Sequence, residues 1–205
     1  MDNEERKEAN KIVGVVLLAA GNSKRYQSIK LLEVIDGKKM YRHILDLATE
    51  LSVTPKVIVT QYEEIGENAS LLGFEVVMNS NPDIGVSHSI QLGLRNTLEI
   101  NPNIDGVLFS VCDQPYLNKD TLLQLLNVFQ KTDKGIACVA SKESLGNPCI
   151  ISKKYFAELF ALSGDIGGKT IINKYHEDVE PLFVSDIKEL IDIDYNEAKR
   201  YPSTL

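Results

Sequence analysis

The 205-residue sequence has few of the features that would assign it to several common classes of protein. It contains no apolar run of about 18 residues, so we expect no membrane-spanning helix. Its cysteines are odd in number and lack CxxC spacing, which favours reduced, buried thiols over a disulfide framework. They are Cys112, Cys138 and Cys149. The three histidines are scattered, with no HxxxH or Cys/His cluster, so the sequence indicates no zinc site.

Charge and missing motifs exclude further classes. A formal net charge of −7 argues against general nucleic-acid binding. Residues 1–11 are charged and lack the apolar segment of a secretory signal, so we interpret them as a flexible leader of a cytoplasmic protein. The GxSxG nucleophile motif and a GxGxxG fingerprint after the first strand are absent. Gly164 lies one residue too close to Lys169 for a Walker P-loop.

Alternating strand and helix patterns predict a single α/β domain over residues 12–205. Short apolar runs indicate buried strands, and apolar residues at helical spacing indicate amphipathic helices. We predict strands over 12–18, 56–60, 74–78, 106–111, 136–140, 149–152, 179–184 and 191–193. We predict helices over 38–51, 62–72, 87–98, 119–129, 153–162, 169–176 and 195–201, with Ser87 and Asn118 as N-caps. The βαβα order of the first 140 residues is typical of a three-layer α/β/α, Rossmann-like domain with a mostly parallel, doubly wound sheet.

The loop after the first strand is the most informative segment. Over residues 18–30 it reads LAAGNSKRYQSIK, with small residues first and three cations, Lys24, Arg25 and Lys30, after them. Small residues let backbone N–H groups approach a ligand, and successive N–H groups form an anion-binding concavity. Doubly wound sheets bind ligands at the carboxyl ends of their strands. The loop therefore predicts a site for a nucleoside triphosphate.

Acidic residues follow two other predicted strands. Asp113 comes after strand 106–111, where a divalent metal could bridge it to triphosphate oxygens. A turn aspartate that caps the next helix is the alternative reading. Asp192 and Asp194 share one face of strand 191–193, so Asp194 is a candidate second metal ligand or, alternatively, the cap of the last helix.

Two glycine-containing loops precede helices. Gly85 leads into a helix N-terminus with two serines, which could hold a phosphate, ribose or base edge, and Ser89 is the better contact candidate. The segment from Gly164 to Lys169 is a second cation-tipped glycine loop and a plausible anion site. An ordinary N-cap and a solvated lysine are the respective alternatives.

The first loop resembles the LAAGxSxRMGxxK signature of the MobA-like nucleotidyltransferases and of sugar-nucleotide and cytidylyl transferases. Tyr26 and Gln27 stand where that family usually has Met-Gly. The matching residues are Leu18, Ala19, Ala20, Gly21, Ser23, Arg25 and Lys30. The resemblance implies a nucleotide-diphospho-sugar transferase-like fold and a Mg²⁺-dependent attack of an acceptor phosphate on the α-phosphorus of a nucleoside triphosphate, with release of pyrophosphate.

The resemblance also implies roles for particular residues. Arg25 and Lys30 would hold the triphosphate, Asp113 the metal, and Ser89 the nucleoside. Two later segments resemble the GxP and GDxG[AG][RK] elements of the molybdopterin-handling branch. They imply acceptor contacts from Asn147, Pro148, Asp165 and Lys169.

The branch resemblance favours transfer of CMP from CTP to molybdopterin, because guanylyl members usually read LAGG where this chain has LAAG at residues 18–21. Two alternatives stay open. One is a nucleotidyltransferase acting on a sugar phosphate or alcohol phosphate. The other is a non-catalytic protein that carries cofactor to a molybdenum hydroxylase, and the Tyr26–Gln27 departure supports it. We expect neither nucleic acid nor membrane as a partner.

Overall fold

A seven-stranded sheet organises the protein, seen in a computed structural model that describes residues 10–22, 29–142 and 144–193. The strands are β1 Val13–Ala19, β2 Val34–Ile35, β3 Lys38–Lys39, β4 Lys56–Thr60, β5 Glu75–Met78, β6 Gly106–Val111, β7 Ile136–Ala140, β8 Leu145–Ser152 and β9 Val179–Phe183. The helices are α1 Met40–Thr49, α2 Glu63–Leu71, α3 Val86–Ile100, α4 Lys119–Lys131, α5 Phe156–Ala161 and α6 Lys169–Lys174. Short 3-10 turns span Lys30–Leu32, Pro82–Ile84, Lys153–Tyr155, His176–Asp178 and Ile187–Leu190.

The strand order in the sheet is β5-β4-β1-β6-β8-β7-β9, with β2 and β3 forming a separate hairpin. Pairs β5–β4, β4–β1, β1–β6 and β7–β9 are parallel, and only β8 runs antiparallel to its two neighbours. The mostly parallel, doubly wound sheet predicted from the βαβα order is therefore confirmed. Because β1 lies between β4 and β6, the loop after β1 faces the ends of both.

Two apolar layers cover the sheet, one on each face. Along β1, Val15 and Leu17 face the layer of α1, α2 and α4, while Val16 faces the layer of α3, α5 and α6. This alternation follows from the two-residue period of a strand. The central strands are buried on both faces, as parallel sheets require. The result is the predicted three-layer arrangement.

Three local predictions differ from the structure. The strand predicted over 149–152 begins earlier, at Leu145, because pairing with β7 extends it, so Gly146–Pro148 lies inside β8. Residues 191–193 form no strand; Ile193 instead donates its N–H to the carbonyl of Asp113 at 3.0 Å. Gly85, not Ser87, occupies the N-cap position of α3. The predicted helix over 195–201 lies outside the described residues.

Contacts from distant parts of the chain hold both ends of α4. Asn118 is the N-cap residue, as predicted, but its side chain makes no capping hydrogen bond. The buried Glu189 carboxylate instead accepts from the Asn118 N–H at 3.1 Å and from the Thr121 hydroxyl at 2.5 Å. At the other end of the helix, the Lys11 ammonium donates a hydrogen bond to the carbonyl of Phe129 at 2.8 Å. Lys11, assigned to the leader, is therefore anchored to the domain.

The cysteine prediction is confirmed, since all three thiols are free and buried. Burial raises the pKa of Cys138 to about 11, which keeps the thiol neutral at physiological pH. Within the described part of the chain, none of the helices combines the length and apolar character needed to cross a membrane.

Candidate active site

A cleft of about 640 Å³ opens where β1 and β6 end. Its first wall comprises Ala20–Asn22, the Lys30–Leu31 turn and Val111–Asp113. Its opposite wall comprises residues 82–86 and 164–165. The first loop and Asp113 were both expected at this edge, and the structure brings them together.

The Lys30 ammonium lies 2.9 Å from Asp113 Oδ2 and forms an ion pair at the first wall. The two side chains are 12% and 28% exposed, so water screens the pair less than it screens an ion pair on the open surface. Within the described residues, no group donates a hydrogen bond to the second oxygen, Oδ1. Lys30 therefore holds one of the two carboxylate oxygens, Oδ2.

Asp113 offers a divalent cation a single carboxylate, so such a cation would take its other ligands from outside a protein cluster. Across the described ranges, no group of three or more Asp, Glu, His or Cys side chains forms a metal site by itself. Mg²⁺ commonly binds one or two carboxylates and completes its shell with phosphate oxygens and water. Gln114 Nε2 donates to the Asp192 carboxylate at 2.9 Å, which keeps the chain around Asp192 beside this loop. Asp194 lies outside the described residues.

Cys112, next to Asp113, adds no charge to the cleft. It is 1% exposed, and burial raises the pKa of its thiol, with the neighbouring Asp113 carboxylate adding to the rise. The neutral thiol behaves as a small apolar side chain under the metal-binding candidate.

The opposite wall is a loop docked on a helix. Gly164 accepts at its carbonyl from the Ser87 hydroxyl at 2.7 Å and from the Ser87 N–H at 3.3 Å. Asp165 Oδ1 accepts from the Val86 N–H at 3.4 Å. Gly85 has φ of 106°, and a Cβ there would lie 2.4 Å from the Gly164 carbonyl. The N-terminus of α3, predicted to hold a phosphate, is thus engaged by the chain's own loop.

The remaining predicted residues are divided. Leu18 and Ser89 line the cleft, and the Ser89 hydroxyl accepts from the buried amide of Asn79 at 3.1 Å. Ala19 lies buried at the end of β1. Ser23 and Arg25 lie outside the described residues.

Of the predicted acceptor contacts, Asp165 lines the cleft. Pro148 is buried in β8, and Lys169 is exposed at the start of α6. The described residues that line the cleft do not include Pro148, Lys169 or Asn147. Asn147 lies two residues before Cys149, which pairs with Phe109, so it is near the same sheet edge as Asp113. No sequence motif pointed to Asn22 and Asp83, whose side chains form a hydrogen bond of 2.8 Å across the cleft.

This geometry defines an α/β domain with a polar cleft at the carboxyl ends of its parallel strands, as nucleotide-binding folds have. The family model of the MobA-like NTP transferase domain matches residues 15–179. The chain therefore belongs to the MobA-like NTP transferase domain family. The bifunctional protein GlmU of Bifidobacterium adolescentis is 29% identical over 126 residues, which are 58% of this chain and 27% of that protein. The chain thus spans about a quarter of the length of the curated relatives it matches.

Solved structures share the fold. The manganese complex of Rv0371c from Mycobacterium tuberculosis has a TM-score of 0.72 at 22% identity, covering 93% of this chain and 97% of that one. Molybdopterin-guanine dinucleotide biosynthesis protein A from Archaeoglobus fulgidus gives 0.64 at 16%, covering 91% and 95%. The 4-diphosphocytidyl-2C-methyl-D-erythritol synthase of Anaerococcus prevotii gives 0.68 at 14%, covering 93% and 94%.

Proposed function

We propose that the protein transfers a nucleoside monophosphate from a nucleoside triphosphate to a phosphorylated acceptor and releases pyrophosphate. The observation that carries this proposal is the Lys30–Asp113 ion pair, 2.9 Å long, beside the small-residue loop at the carboxyl edge of β1 and β6. A cation and a metal-binding carboxylate at a strand end suit a triphosphate. Membership of the MobA-like NTP transferase domain family supports the same chemistry.

The proposed reaction needs no covalent enzyme intermediate. An acceptor phosphate oxygen attacks the α-phosphorus, and pyrophosphate leaves. When bound, a divalent cation at Asp113 supplies positive charge to the phosphate oxygens. Lys30 and Arg25 neutralise the remaining charge of the triphosphate, and backbone N–H groups near Gly21 orient it. Positioning and charge neutralisation then account for catalysis.

We propose CTP as the favoured nucleotide, molybdopterin as the favoured acceptor and a molybdenum hydroxylase as the recipient of the product. Ala20 is buried and lines the cleft, so its methyl group narrows the space beside the nucleotide. Asp165 supports an acceptor site on the opposite wall, because its carboxylate can accept hydrogen bonds from an acceptor's N–H or O–H groups.

Pyrophosphate release tests the proposal. The protein is incubated with Mg²⁺, each of CTP, GTP, ATP and UTP, and one acceptor: molybdopterin, a hexose 1-phosphate or methylerythritol phosphate. We expect release with CTP and molybdopterin. Release only with a sugar phosphate or alcohol phosphate would instead support the second candidate. The similarity to the 4-diphosphocytidyl-2C-methyl-D-erythritol synthase of Anaerococcus prevotii favours that candidate. Binding of molybdopterin with no release in any mixture would support the non-catalytic carrier.

A further inference from the structure

Three consecutive carbonyl groups, at the end of β1 and the start of the loop after it, accept hydrogen bonds from three consecutive side chains at the end of β4. The Thr60 hydroxyl donates to the carbonyl of Ala19 at 3.1 Å. The next two bonds are Gln61 Nε2 to the Ala20 carbonyl at 3.1 Å and the Tyr62 hydroxyl to the Gly21 carbonyl at 2.7 Å. We call residues 60–62 the carbonyl clamp. The ladder between β1 and β4 ends at the Ala19–Thr60 pair, so these bonds continue the pairing beyond it.

The clamp determines which way the loop's N–H groups point. In a trans peptide the carbonyl and the following N–H point in opposite directions. Carbonyls held towards β4 therefore direct the N–H groups of Ala20, Gly21 and Asn22 towards the β6 side, because β1 lies between the two strands. Asp113 follows β6, and all three loop residues line the cleft.

The same clamp connects the loop to the opposite wall. Gln61 Nε2 also donates to Asn22 Oδ1 at 2.9 Å, and Asn22 Nδ2 donates to Asp83 Oδ1 at 2.8 Å. A loop of small residues has many accessible conformations, and ordering it on binding would reduce affinity. Bonds present before the ligand arrives remove part of that cost.

We infer that Gln61 and Tyr62 are positioning residues for the nucleotide. They act through the backbone of Ala20–Asn22 and hold its N–H groups ready for the ligand. The inference rests on the proposed function, since it presupposes that the loop binds a nucleoside triphosphate. It adds residues that directly follow β4, where the sequence motifs indicate no ligand contact.

The test compares two clamp variants with a matched control. Gln61→Leu removes the amide and keeps the bulk, and Tyr62→Phe removes only the hydroxyl. The control is Gln91→Leu, because Gln91 also donates to two carbonyls, those of Phe160 at 3.0 Å and Leu162 at 2.7 Å, and none of these three residues lines the cleft. Calorimetry measures the Kd of whichever of CTP, GTP, ATP and UTP the wild type binds best with Mg²⁺. Steady-state assays then give KM and kcat, and thermal unfolding verifies the fold.

We expect Tyr62→Phe to raise the Kd and KM about two- to tenfold, the range of one net hydrogen bond, with kcat at saturation nearly unchanged. Gln61→Leu should raise them at least as much, because it loses two hydrogen bonds. Gln91→Leu should leave Kd and KM as in the wild type. Clamp variants that bind as tightly as the wild type would overturn the inference, as would equal losses in the control. A wild type that binds none of the four nucleotides would refute the proposed function itself, and the inference with it.

Discussion

The two walls of the cleft are built in different ways. The first wall, which we call the nucleotide wall, consists of the ends of neighbouring parallel strands, β1 and β6, with Lys30 and Asp113 paired between their loops. The opposite wall joins Val86 to Asp165, which are 79 residues apart, by docking a glycine loop on the start of α3. The first wall is held by the sheet, whereas the second is held by hydrogen bonds from Val86 and Ser87 and by a close approach at Gly85. We therefore expect substitutions in the first wall to lower activity and substitutions in the opposite wall to lower stability or acceptor binding.

The largest effect is expected from disabling the nucleotide wall. Asp113→Asn removes the charge that we propose holds a cation but keeps the side-chain shape, so pyrophosphate release should fall by about 100-fold or more while the unfolding temperature stays near the wild type. Asp120→Asn, at an exposed position on α4, is the control and should retain full activity. An Asp113→Asn protein with wild-type turnover would remove this carboxylate from the mechanism.

The joint between the walls is tested by Gly85→Ala. The added Cβ meets the Gly164 backbone at 2.4 Å, and φ of 106° strains any residue with a side chain. We expect a loss of about 1–3 kcal/mol in the free energy of unfolding, measured by urea denaturation. Gly146→Ala is matched, because no heavy atom lies within 4 Å of its added Cβ. Equal stability losses in both variants would contradict the close approach at Gly85.

Asp165→Asn should affect only the opposite wall. Losing a negative charge at the start of α3 should lower the free energy of unfolding by about 0.3–1 kcal/mol. In the assay, the KM for the acceptor should rise several-fold while the Kd for the nucleotide stays constant. If the variant weakens nucleotide binding as much as acceptor binding, the division of the cleft into two functional walls is wrong.

The smallest effect is expected at the other end of the sheet, away from both walls. The hydrogen bond from Lys153 at 2.7 Å, supported by the Ile12 N–H at 2.9 Å, holds the pKa of Asp105 below its usual value. Because its pKa is lower in the folded state, Asp105 stabilises the protein at neutral pH, and that contribution is lost as the pH falls below its ordinary pKa. Asp105→Asn should therefore be less stable than the wild type at pH 7.

Urea denaturation across the acidic range measures this difference. The difference in the free energy of unfolding between the wild type and Asp105→Asn should shrink below about pH 4. It should vanish once Asp105 is protonated in both the folded and the unfolded wild type. Turnover at pH 7 should be unchanged. A stability difference that stays constant with pH would mean that the charge of Asp105 is not what matters.

The nucleotide wall could be predicted from sequence because its parts are local. An apolar run followed by small residues places the first loop, and an aspartate directly after strand 106–111 reaches the same edge of a parallel sheet. The pairing of β1 with β6 is the one long-range contact that this prediction requires. The contact between Lys30 and Asp113 then follows from the order of β1 and β6.

The opposite wall could not be predicted in the same way. Serine is a common N-cap residue, but the Ser87 hydroxyl donates a hydrogen bond to the carbonyl of Gly164, 77 residues away. No local sequence pattern encodes that contact. Gly146–Pro148 has the composition of a turn, yet pairing with β7 extends the strand through it. The carbonyl clamp was missed for the same reason: a threonine, a glutamine and a tyrosine after β4 look ordinary until β1 is placed beside them.

The most direct test of the central claim, that the cleft binds a nucleoside triphosphate through Asp113 and a divalent cation, is thermal unfolding with CTP, GTP, ATP and UTP, with and without Mg²⁺. A ligand at one hundred times its Kd adds about 2.7 kcal/mol to the free energy of unfolding. We predict Mg²⁺-dependent stabilisation that is largest with CTP and lost in Asp113→Asn. Unfolding temperatures that no nucleotide changes, or that rise equally in Asp113→Asn, would contradict the account.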